Sequence, residues 1–190
     1  IYGQLNLRSQ APVCEADVRR ATALMSHRGP DDEGFYVHGP IGMGFRRLSI
    51  IDLAGGHQPM SDRERSIWLT FNGEIYNFRE LRRELESAGH CFQTNSDTEV
   101  IIHGYKEWGD QVLNRMNGMF GLAIWDEPKQ RLVVARDAMG QKPVYYRIAE
   151  EVLTYGSEAR TLLGPGSPEL DPTALNLFLR YRYTPSPLTL

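Results

Sequence analysis

Apolar and polar residues along this chain alternate between strand-like and helix-like spacing. Residues 2–7 alternate as a strand does, and 16–25 carry Val18, Ala21 and Met25 at the spacing of one helical face. Strand patterns return at 34–37, 41–51 and 67–72, the first two joined by a turn at Gly39-Pro40. Helices are predicted over 78–88 and 98–108, stopped by Gly89 and Gly109. Ser96 or Asp97 is placed to cap the second, and Glu99 lies in its first turn, where the helix dipole favours an acid. A short helix over 110–116 follows. Residues 119–125, 131–136, 144–148 and 152–155 form a second set of strands, with Pro128-Lys129 in one tight turn. Strands that come in runs, with helices between the runs, predict an α+β architecture: two layered sheets with helices outside, not a βαβ repeat.

From Gly164 the pattern breaks. Gly164-Pro165-Gly166-Ser167-Pro168 is a linker signal, and Asp171 with Pro172 opens a new helix at N-cap and N1. One domain is therefore expected over 1–163, with 164–190 a linker and the start of another domain cut short. At 190 residues and 41% hydrophobic content, the chain can bury a real core. Its 24 acidic and 21 basic residues leave a net charge of −3 and no basic stripe, which argues against nucleic acid or an anionic membrane as partner. No apolar run approaches the roughly 20 residues that span a bilayer, and no signal peptide opens the chain, so a cytoplasmic location is the default.

Two cysteines, Cys14 and Cys91, are too few for a secreted disulfide framework, and each is expected as a buried or partly exposed thiol. The five histidines show no HxxxH or HExxH spacing, so no metal site is predicted. The run Phe71-Asn72-Gly73-Glu74 carries the most chemistry. Asn72 can offer a carboxamide N–H, and Gly73 lets a backbone N–H approach a reacting carbonyl without Cβ interference, the two donors an oxyanion hole needs. Asn-Gly is equally a two-residue hairpin signal, so a plain turn after a strand ending at Asn72 stands beside the catalytic reading.

Several ordered motifs decide the matter by resemblance. His27-Arg28-Gly29-Pro30-Asp31, Arg47-Leu48-Ser49-Ile50-Ile51-Asp52, Gly56-His57-Gln58-Pro59, the Asn-Gly run, Ser96-Asp97-Thr98-Glu99, Gly118-Met119-Phe120 and Ala135-Arg136-Asp137 follow one another along nearly the whole chain. In that order they resemble the glutaminase domain of glutamine-dependent asparagine synthetase, a class II glutamine amidotransferase. The resemblance implies the N-terminal-nucleophile hydrolase fold, a four-layer αββα sandwich.

It also implies roles. Arg47 matches the arginine that holds the glutamine α-carboxylate, a task suited to a planar, permanently charged fork. Its neighbour Arg46 is expected on the opposite strand face, so that one of the two reaches the pocket. Glu74 and Asp97 match the acids that receive the substrate ammonium. Leu48, Ile50 and Ile51 match the pocket wall, and Asn72 and Gly73 the oxyanion hole. Asp97 also has a capping role open to it. The segments 27–32 and 135–140 read as turn-fixing or as loops around the site. Ala138, Gln141 and Ser157-Glu158-Ala159-Arg160 depart from the more usual residues of the family.

One departure bears on activity. The family's mature chain opens Cys-Gly-Ile, whereas this sequence opens Ile1-Tyr2-Gly3, so the nucleophilic cysteine is expected two residues ahead of Ile1. In such an enzyme that residue supplies both thiolate and, through its free α-amine, the base. Cys14 and Cys91 have no free α-amine, and the chain as written is expected not to hydrolyse glutamine. Implied partners are glutamine and a C-terminal synthetase domain. No cofactor is expected in this domain, while ATP and Mg²⁺ belong to the synthetase domain. A homodimer stays open, as do a related amide-forming enzyme with another acceptor and a glutamine-binding module without hydrolysis.

Overall fold

Strands with one face toward helices and the other toward a second sheet stack into four layers. The computed structural model describes residues 1–9, 11–48, 56–164, 170–185 and 188. In chain order its elements are β1 (Tyr2–Asn6), α1 (Glu15–Ala23), β2 (Asp32–His38), β3 (Ile41–Arg47), β4 (Met60–Ser61) and β5 (Ile67–Ile75). Then come α2 (Phe78–Ser87), α3 (Asp97–Trp108), α4 (Val112–Arg115), β6 (Gly118–Asp126), β7 (Arg131–Arg136), β8 (Tyr145–Ala149), β9 (Val152–Gly156) and α5 (Pro172–Tyr181). The first sheet has the order β2-β3-β1-β9-β8 and the second β4-β5-β6-β7, with every pairing antiparallel.

Period-two alternation sorts the side chains between layers. Ile67, Leu69, Phe71 and Ile75 of β5, with Leu122 and Ile124 of β6, pack beneath Leu81 and Leu85 of α2 and Val100, Ile101 and Tyr105 of α3. The intervening Ala123 and Trp125 turn the other way, meeting Ile1, Ile41, Met43, Phe45 and Tyr155 between the two sheets. On the far face of the first sheet, Tyr2 packs with Val18 of α1 and with Met25 just beyond that helix. The layers therefore run α1, first sheet, second sheet, α2 with α3. No helix among the described residues is long and apolar enough to cross a membrane.

Most expected elements stand within a residue or two of their expected bounds, and the exceptions are instructive. β5 does not stop at Asn72. It continues through Gly73 and Glu74 to Ile75, in unbroken register with β6 from Ile67↔Asp126 to Ile75↔Gly118. The local turn preference of Asn-Gly yields to nine residues of pairing with a neighbour, and a Cβ at Gly73 would lie 2.1 Å from the Met119 carbonyl oxygen. Gly73 thus serves close strand approach instead of a hairpin. The strand expected over 41–51 ends at Arg47, and residues 49–55 lie outside those described. The helix expected over 110–116 is split into a tight 3₁₀ turn, Gly109–Gln111, and α4. Asp171 caps α5 as expected, accepting from the Thr173 and Ala174 N–H groups, with Pro172 at its start. Cys14 and Cys91 are both exposed free thiols, a correction to the buried or partly exposed placement expected of them. Cys14 stands at the N-cap of α1 without a side-chain capping bond.

Candidate active site

At one end of the sandwich, the end of β3, the end of β5, the start of β6 and the residue before β1 open onto a cleft of about 630 Å³. Arg47, Leu48, Asn72, Gly73, Glu74 and Asp97 all line it. The other two residues expected at the pocket, Ile50 and Ile51, lie outside the described residues. Alternation explains the convergence: Asn72 and Glu74 occupy the positions of β5 that face the first sheet, as Trp68 does, and Arg47 continues the row of Ile41, Met43 and Phe45 that faces back.

Both arginines line the cleft, contrary to the expectation that one of them would. Both stand at the end of β3, at the rim of the cleft. Arg46 turns its guanidinium to Glu33 at 2.7 Å. Arg47 stands opposite Asp32 in the β2–β3 register, and its carbonyl accepts from the Asp31 N–H at 3.1 Å. The segment 27–32 thereby packs directly against the strand that carries Arg47.

Asp97 and Glu74 present two carboxylates to the same space. The Asp97 Oδ2 accepts from the Ile75 N–H at 2.9 Å, and Ser96, not Asp97, caps α3 by accepting from the Thr98 N–H at 3.1 Å. Burial, opposed by the bond from Ile75 and reinforced by the Glu74 charge, pushes the Asp97 carboxyl above its ordinary value. Two acids so placed gain from the arrival of a cation.

The loop that delivers Asp97 is shaped by Glu99, which does more than favour the helix dipole. Its carboxylate accepts from the Gln93 and Thr94 N–H groups at 2.8 and 2.7 Å and from the Thr94 hydroxyl at 2.7 Å, and it meets His103 at 3.3 Å. Burial raises its pKa, but the bonds from His103, Gln93 and Thr94 outweigh that and hold the group down at about 2. Glu99 is therefore more acidic folded than unfolded, so its stabilisation is complete above pH 4.5 and fades as pH falls toward about 2. Glu99→Gln is expected to lower unfolding free energy by about 2 kcal/mol at neutral pH. Denaturant titrations should show the gap from wild type closing below about pH 4.

Sequence reasoning assigned no role to Ile1, Arg28, Gln58, Asn95, Lys142 or Ser157, yet all line the cleft. The Ile1 amine is buried and donates to the Ser157 hydroxyl at 3.0 Å, and Arg28 donates to the Ser157 carbonyl at 3.3 Å. Gln58 accepts from the Phe71 N–H at 2.6 Å. Lys142 is set by Asp137, whose carboxylate accepts from the N–H groups of Phe120, Met139, Gln141 and Lys142. The motifs holding Arg28, Gln58 and Asp137 were visible in the sequence, but no periodicity marks what their side chains reach.

A solved structure shares this fold. Glutamine phosphoribosylpyrophosphate (PRPP) amidotransferase from B. subtilis, complexed with ADP and GMP, superimposes with a TM-score of 0.70 at 22% identity, covering 84% of this chain and 42% of that one. At that identity the likeness speaks for the fold, the four-layer sandwich of the N-terminal-nucleophile hydrolases. The chain belongs to the glutamine amidotransferase domain family, whose model matches residues 1–190. Among curated relatives, asparagine synthetase [glutamine-hydrolyzing] 1 of Bacillus subtilis (strain 168) is 39% identical over 174 residues, 91% of this chain and 28% of that protein. Asparagine synthetase [glutamine-hydrolyzing] 2 of the same organism is 44% identical over 164 residues, 85% of this chain and 22% of that protein. The chain thus spans less than a third of the length of these relatives.

Proposed function

We propose that this chain is the glutamine-hydrolysing part of a longer enzyme that makes asparagine from aspartate with ATP, using ammonia released in the cleft. The observation that carries this reading is the meeting of three kinds of group around one cleft: the Arg47 cation, the Glu74 and Asp97 carboxylates, and the paired donors of Asn72 and Gly73. An α-amino acid presents a carboxylate and an ammonium at one end, and glutamine an amide at the other. Arg47 takes the carboxylate, the two acids take the ammonium, and the amide is left at Asn72 and Gly73. The neighbouring Leu48, with Ile50 and Ile51 beyond the described residues, would wall the side chain.

The nucleophile in this reading is a cysteine two residues ahead of Ile1. Ile1 faces the layer between the sheets, so a residue two positions earlier on the same strand path faces it too. The thiolate adds to the amide carbon, and the oxyanion that forms accepts from Asn72 and Gly73. Ammonia leaves with a proton carried by the α-amine of the cysteine, and water then cleaves the thioester to release glutamate. Within this reading the described residues supply the binding half of the machinery.

ATP and Mg²⁺ are assigned to the synthetase portion, for which residues 164–190 are the entrance. Among the described residues, no three His, Cys, Asp or Glu side chains are grouped to hold a metal ion. The test is to supply the full-length protein with amide-labelled [¹⁵N]glutamine, aspartate, ATP and Mg²⁺. Labelled asparagine is the expected product; labelled ammonia with no asparagine would keep the glutaminase and discard the acceptor.

A further inference from the structure

The open edge of β5 points to Gln58. β5 pairs with β6 along its whole length, but with β4 only at Trp68 and Leu69. Beyond Leu69 its other edge has no strand beside it among the described residues, and an open edge presents a row of unpaired N–H groups. Alternation fixes which ones. The Phe71, Gly73 and Ile75 amides point away from β6, since that of Tyr76 donates toward it, to Asn117. Two of the three are taken by side chains, Phe71 by Gln58 Oε1 at 2.6 Å and Ile75 by Asp97 Oδ2 at 2.9 Å. The one between them, Gly73, is bonded to no described residue and lies at the cleft.

Gln58 is well placed for such a task. It is 5% exposed, and its backbone is pressed against the other sheet: a Cβ at Gly34 of β2 would lie 1.9 Å from the Gln58 carbonyl oxygen. One residue therefore grips the second sheet through its side chain while its main chain abuts the first.

We propose that Gln58 is a positioning residue for the oxyanion hole: by clamping the Phe71 N–H it fixes the edge of β5, so that the Gly73 N–H two residues on stays unpaired and aimed into the cleft. The proposal rests on the glutaminase reading and deepens it. Asp97 holds the far side of the same amide, so the donor is braced on both flanks. Loss of either brace lets the strand edge shift, and a displacement of about 1 Å at a reacting group is enough to cost on the order of a hundredfold in rate. Because Gln58 acts on the donor and not on Arg47 or the acids, its loss falls on turnover and spares glutamine affinity.

The experiment uses the full-length protein that carries this chain. Gln58→Met keeps the volume and removes the acceptor, whereas Gln58→Glu keeps an oxygen. Gln58→Met is expected to lower kcat for glutamate release at least about tenfold with KM within about threefold of wild type, and Gln58→Glu to recover most of the loss. Exchange of the Phe71 amide with solvent should accelerate in Gln58→Met. Unchanged kcat in Gln58→Met, a loss carried by KM, no recovery in Gln58→Glu, or unaltered Phe71 exchange would each overturn the proposal. A wild-type protein that releases no glutamate would overturn the glutaminase reading, and with it the use made of the clamp. Phe71 exchange separates that outcome from an absent clamp, since it reports the bond whatever the activity.

Discussion

Asn72→Ala in the full-length protein is expected to lower kcat for glutamine hydrolysis by about a hundredfold or more, with KM little changed. The side-chain amide of Asn72 sits on the face of β5 that looks across the cleft, one residue from the Gly73 N–H. Negative charge reaches the glutamine amide oxygen only as the tetrahedral intermediate forms, so a donor aimed there stabilises the transition state more than the bound substrate. Removing one donor of such a pair costs on the order of 3 kcal/mol. The strand should survive the change, because alanine fits its backbone and position 72 lies outside the apolar cluster beneath α2 and α3. Steady-state kinetics check the split: a loss below about tenfold, or one carried by KM, would remove Asn72 from the oxyanion hole.

Arg47→Ala acts on the other term. Loss of a charge-assisted, two-pronged contact to a carboxylate, with the acids Glu74 and Asp97 left in place, should weaken glutamine binding by about 2–3 kcal/mol, roughly 30- to 150-fold. Lysine should recover little, since a point charge cannot reproduce the planar fork. Calorimetry on the chain itself measures this without turnover. Affinity unchanged within about twofold would place the α-carboxylate elsewhere, and Arg46, already held by Glu33, would then be the next cation to change.

Much of this was legible from residue pattern alone. The alternation in 67–72 and 119–125 reported the two inner strands, and Asp171-Pro172 announced a helix start that the structure shows atom by atom. What misled was local chemistry overruled at a distance. Asn72-Gly73 has the composition of a hairpin turn, but pairing with β6 draws both residues into the strand. Ser96 and Asp97 were rivals for one cap; the structure gives the cap to Ser96 and frees Asp97 to reach back to Ile75. What Gln58 and Glu99 bond to could not be read from spacing. Each satisfies backbone donors several residues away, and a hydrogen bond across 13 residues, as from Phe71 to Gln58, leaves no periodic trace. The six expected cleft residues within the described part converge because motifs far apart in sequence end at the same rim of the two sheets, a fact of topology and not of composition.

The central claim, that this cleft activates the side-chain amide of glutamine, is tested most directly by comparing two proteins: the chain starting at Ile1, and the same chain with a mature Cys-Gly placed ahead of Ile1. Glutamate release from glutamine is the readout. The extended chain is expected to release glutamate steadily and the shorter one not at all, while both bind glutamine with similar affinity by calorimetry. Release by neither, or equal release by both, would contradict the account.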